Sequence, residues 1–135
     1  MKRLFSIFVL VVITTGLLTA AGPLPSTTFR LVDGLPDTMN VGERYTVAVE
    51  VTSDQEFLQV QALPSFAYPG KGVVAIQGGD HAGRGTSAVV EVTFEAKSST
   101  ARMPDGVAPV HVVVGVRYAG GYVAVKDYSF NVAVP

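Results

Sequence analysis

The sequence contains no cysteine, no tryptophan and only two histidines, His81 and His111. Without cysteine there is no disulfide, no thiolate ligand and no thiol nucleophile, so stability must come from packing and hydrogen bonding. Without tryptophan the ring with the largest stacking face is missing. The two histidines show no H-x-H or H-x-x-x-H spacing, and a metal site needs three or four converging donors, so neither metal nor cofactor is expected. Serines and carboxylates occur, but no G-x-S-x-G elbow or other activated nucleophile accompanies them. No catalytic residue is assigned, and the chain reads as non-enzymatic.

Charge is also scarce. Ten basic residues stand against eleven acidic ones, and two of the basic ones, Lys2 and Arg3, belong to the N-terminal segment described below. The remainder carries a formal charge of about −3 with its cations scattered from Arg30 to Lys126. Nucleic acid binding demands a concentrated basic surface, and anionic lipid a polybasic patch. Neither is present.

What is present begins with an address. Lys2 and Arg3 precede an apolar run from Leu4 to Leu18, and Thr19-Ala20-Ala21 places small residues around a cut after Ala21. This is the layout of a secretory signal peptide over residues 1–21. An uncleaved anchor is the competing reading, since a run of about 17 apolar residues just spans a bilayer. No transmembrane segment is expected in the mature chain, 22–135, which reads as one domain working outside the cytoplasm: secreted, periplasmic or cell-surface associated.

Along that mature chain the apolar period is two. Tyr45, Val47, Val49 and Val51 alternate with polar residues from Arg44 to Thr52; Ala88, Val90, Val92, Phe94 and Ala96 do so from Ser87 to Ala96; and Val110, Val112, Val114, Val116 and Tyr118 share one side of a third segment. These are strands with one buried face. Thr28–Val32, Phe57–Leu63, Val73–Ile76 and Tyr122–Val134 are further strand candidates, and no window keeps a helical period. Gly120-Gly121 supplies a tight hairpin turn that tyrosines 118 and 122 flank. The expected fold is all-β: an immunoglobulin-like antiparallel β-sandwich of about seven strands, with a small β-barrel as the alternative.

Three stretches carry a family resemblance. "GLPDTMNVGERYTVAVEV" resembles the opening of immunoglobulin-like modules of bacterial and archaeal surface proteins, "GRGTSAVVEVTFEAKS" their later turn and long strand, and "VAPVHVVVGVRYAGGYVAVKDYSFNVAV" their closing hairpin. The resemblance implies a sandwich with an adhesive, assembly or spacer role. It transfers no catalytic residue.

The stretch Ile76–Ala96 concentrates glycines with Asp80, His81 and Arg84. Gly78 and Gly83 have the spacing of P-loop glycines, but Arg84-Gly85 stands where that loop needs Lys and Ser or Thr, and a strand follows where it needs a helix. The stretch therefore reads as an inter-strand loop, with Asp80 serving turn geometry and Arg84 solvated or paired with an acid. With chemistry thin, contact surfaces remain: sheet edges, and the aromatic residues Phe66 and Tyr68 in one loop and Tyr118 and Tyr122 at the last hairpin. The expected role is contact with, or assembly on, an envelope or extracellular protein partner. A carbohydrate-binding module that presents the same Phe and Tyr rings to a glycan is the alternative.

Overall fold

The computed structural model describes residues 23–77 and 79–135. The predicted signal peptide lies outside the described residues, as does Gly78. Seven strands follow one another: β1 (Thr27–Asp33), β2 (Arg44–Phe66), β3 (Val73–Ala75), β4 (Asp80–Ala82), β5 (Gly85–Ala96), β6 (Ala108–Tyr118) and β7 (Val123–Val132). The sequence predicts Arg44–Thr52 and Phe57–Leu63 as separate strands. They form one strand of 23 residues, β2, which changes partners along its length.

The first part of β2 pairs with β5, Arg44 to Thr52 against Glu95 to Ser87, and on its other side with β1. Its second part pairs with β6, Phe57 to Phe66 against Tyr118 to Val110, and on its other side with β4. The β2–β5 ladder breaks between Thr52 and Phe57, and the residues skipped are Ser53-Asp54-Gln55-Glu56. Four consecutive polar residues have nothing to bury, so the strand turns its corner there and passes from one layer to the other. One layer is β1–β2–β5–β3 and the other is β4–β2–β6–β7. β3 and β7 end the path without pairing to each other, so the sheet stays open and the barrel alternative does not form.

The core lies between the layers and is made largely of valine. Val47, Val49 and Val51 of β2 meet Val90, Val92 and Phe94 of β5 and Val110, Val112, Val114 and Val116 of β6, all essentially without exposure. These are the alternating positions read from the sequence. Phe94 also takes the ring of Phe66 edge-on, with centroids 6.0 Å apart. Met39, from the segment before β2, is fully buried as well, and its backbone N–H donates to Ala133 O at 3.0 Å.

The outer face of the first layer is mostly polar, as a solvated sheet face should be. Arg30 pairs with Glu50 at 3.1 Å, Thr46 with Thr93 at 2.8 Å, and Arg44 with Glu95 at 2.9 Å, while Lys97 closes on the other carboxylate oxygen of Glu95. Val89 is exposed among them, and Leu31 and Val32 of β1 and Tyr45 of β2 are exposed on the same layer. Hydrogen bonds from Lys97 and then Arg44 hold the Glu95 carboxyl below its ordinary value of 4.5. Arg30 does the same for Glu50, and the Asn40 backbone N–H for Glu43.

Two outcomes follow from this packing. Phe94→Ala removes a fully buried ring and its partner contact, and denaturant unfolding should show a loss of about 3–5 kcal/mol. The depressed glutamates release protons more readily folded than unfolded, so their stabilisation is complete above pH 4.5 and is lost as pH falls from there through their folded values. Glu95→Gln should flatten that acid limb in unfolding titrations repeated across pH, and an unchanged limb would refute the assignment.

Candidate functional site

The glycine-rich stretch builds structure. Asp80–Ala82 forms β4, a short strand that the sequence does not predict, paired with Ala62–Val60 of β2. The Asp80 carboxylate accepts the backbone N–H of His81 at 2.9 Å and that of Glu91 at 2.8 Å, on the edge of β5 that β3 leaves uncovered. Arg84 reaches Glu56 at 3.3 Å with both side chains exposed. At Gly79 a Cβ would stand 2.7 Å from Ala62 O, so the close approach of β2 requires glycine. Strand β5 follows, and among the described residues no helix N-terminus faces the loop.

The four predicted contact aromatics fall in two places. Phe66 is half-buried against Phe94, and Tyr68 beyond it is 38% exposed. Tyr118 is 3% exposed: its hydroxyl donates to Ser53 Oγ at 2.7 Å and also contacts Thr27 Oγ1, which fixes it inside the corner of β2. Its ring is therefore a core element and offers a partner no surface. Tyr122 is half-buried with its ring 5.6 Å from that of Tyr118. Phe66 pairs with Val110 and Phe57 with Tyr118, so the two aromatic sites lie at opposite ends of β6, about 27 Å apart along the strand.

A different surface gathers on the outer face of the second layer. The residues of β6 that alternate with the buried valines point outward in register with β2 and β7. Arg117 lies between Gln59 and Val123, Gly115 between Gln61 and Val125, and Val113 between Leu63 and Asp127. Together, apart from Asp127, they line an open groove of about 240 Å³, with Leu63 45% exposed. Gly115 forms its floor. A Cβ there would meet nothing within 4 Å, and the backbone is not left-handed, so nothing in this fold requires glycine at that position. Glycine in a strand interior weakens the strand and often marks the close approach of another backbone. The signal was in the sequence: Val112-Val113-Val114 is apolar at both parities, and Val123 and Val125 repeat on the outward register of β7.

At one end of this face lie His111, Asp127 and Ser129. Ser129 Oγ is 2.9 Å from His111 Nδ1, and Asp127 Oδ1 is 3.5 Å from the same nitrogen. A hydrolytic triad needs the carboxylate and the nucleophile on opposite ring nitrogens. Here both crowd Nδ1, so the cluster is not a charge-relay arrangement. Asp127 Oδ1 is buried without a hydrogen-bond partner. Among the described residues no three His, Asp or Glu side chains converge as metal ligands would.

The edges are blunted. β3 and β4 have three residues each, and β1 carries a register shift between Leu31 and Asp33. On β7, Lys126 occupies an inward register position opposite Val114 and stays exposed, with its ammonium 5.7 Å from the Tyr128 ring centroid. Burial raises the Tyr128 hydroxyl above its usual value. Short strands, bulges and inward charges are the devices that keep an edge from recruiting another strand.

No protein-family model matches the chain, and no curated protein does. Among solved structures it is similar to a PapD-like domain of human CEP192, at 11% identity and a TM-score of 0.46 over 81% of this chain and 84% of that one. It is also similar to the sporulation control protein Spo0M of Bacillus subtilis, at 17% and 0.45, covering 83% of this chain and 50% of that one. Murine CRIg matches at 10% and 0.40, covering 82% of this chain and 98% of that one. The chain thus spans half the length of Spo0M. Likenesses this distant transfer no residue's role.

Proposed function

We propose that this chain is a non-catalytic, extracytoplasmic immunoglobulin-like module that works by protein contact, and that the contact surface is the outer face of β2, β6 and β7. Gly115 carries the reading: it is a strand-interior glycine with open space above it, at the floor of an apolar groove. Leu63, Val113, Val123 and Val125 add apolar surface around that glycine. The blunted edges direct contact onto a face, away from the strand addition that the sequence suggested. The address rests on the signal-peptide layout of residues 1–21. A glycan platform of adjacent rings finds less support, since the Phe66–Tyr68 loop and the Tyr118–Tyr122 hairpin are far apart.

Gly115→Thr tests this with little risk to the fold. A β-branched residue on a strand replaces one that weakens it, so the unfolding free energy should rise by about 0.5–1 kcal/mol. The same substitution fills the groove and should abolish co-purification of the partner from the envelope fraction. Tyr68→Ser, which changes an exposed loop ring, should leave co-purification intact. Partner retention by Gly115→Thr together with loss by Tyr68→Ser would move the site to the aromatic loop.

A further inference from the structure

We infer that the occupant of this face is a second copy of the same chain, docked as a two-fold dimer centred on Gly115. The inference rests on the contact reading above and adds the identity of the partner. The face carries two side chains of opposite charge on opposite sides of its glycine along the strand direction, Arg117 on β6 and Asp127 on β7. Arg117 stands two residues beyond Gly115 on β6, and Asp127 lies beside Val113, two residues before it, so each charge is about 7 Å along the strand from the centre. Arg117 is exposed, and no carboxylate among the described residues lies within ion-pair distance of it. Asp127 is half-buried, and its Oδ1 lies 3.5 Å from His111 Nδ1.

Within one chain the two groups sit in different rows and do not meet. A second copy turned by a half-turn about an axis that lies in the interface and crosses the strands at Gly115 changes this. Arg117 of each copy then comes over the Val113–Asp127 row of the other, and Gln59 over Leu63. The two glycine backbones face each other at the centre, where the absence of side chains lets the sheets close. A half-turn about an axis along β6 instead sets Arg117 against Arg117, so like-charge repulsion selects the first orientation. An isologous contact of this kind needs only one patch that is complementary to itself. The outer face of β2, β6 and β7 has that property in its charges and its glycine centre.

The test is sedimentation velocity of the purified full chain from about 1 μM to about 1 mM, the range in which a weak to moderate dimer declares itself. The wild type should dimerise. Arg117→Glu, an exposed substitution that leaves the fold intact, should weaken the dimer by about tenfold or more, because it places like charges opposite each other. Arg117→Glu combined with Asp127→Lys should restore most of the affinity in the reversed sense, with thermal melting confirming that each variant is folded. A wild type that stays monomeric across the range overturns the inference, and so does a dimer indifferent to Arg117→Glu. If there is no dimer and Gly115→Thr still abolishes capture of another envelope protein, the contact reading stands and the second copy is excluded. If Gly115→Thr changes neither dimer nor capture, both readings fail.

Discussion

The constraint on which the molecule depends is that one strand serves both layers. A single β2 of 23 residues carries β5 and β1 on its first part and β6 and β4 on its second, so the relation between the two layers is set by the corner between them. That corner is polar and fully engaged. Asp54 accepts the Ser26 backbone N–H at 2.7 Å, Gln55 reaches Pro23 O at 3.1 Å, and Ser53 Oγ receives the Tyr118 hydroxyl at 2.7 Å. The chain leading into β1 and the last residue of β6 are thereby tied to the same four residues. Tyr118 is buried because it closes this corner, which is why an aromatic at a hairpin end became a structural pin.

Each layer turns its own outer face to the surface. The first layer turns mostly charged and hydroxyl side chains to solvent, with cross-strand pairs such as Arg44–Glu95 and Thr46–Thr93. The second turns out Leu63, Val113, Gly115, Val123 and Val125 in rows shared with Gln59, Gln61, Arg117 and Asp127. The edges are guarded: Lys126 sits at an inward register position on the last strand and stays exposed, a charge that discourages another strand.

The alternation of Val47, Val49 and Val51, of Val90, Val92 and Phe94, and of the β6 valines was legible because the period of a strand is local and its inward face is apolar. Turn chemistry was legible for the same reason. The hairpin at Gly120-Gly121 forms with both glycines at positive φ, and the tyrosines on either side pack together. Asp80 and Arg84 do the structural work expected of them, the first on backbone N–H groups and the second on Glu56.

By itself the sequence determined the class of the fold, its core positions apart from Tyr45, which is exposed, and its lack of thiol chemistry, since each depends on residue type and on neighbours a few positions away. Tertiary structure alone decided that two apparent strands are one, that β4 exists, and that Tyr118 is core while Phe66 leans on Phe94. It also decided that Gln61, Gly115 and Val125 share a row and that His111, Asp127 and Ser129 meet. These depend on which strand lies beside which, and pairing joins residues dozens of positions apart. Parity tells a side chain which face it is on, but only the neighbouring strands tell whether that face is covered.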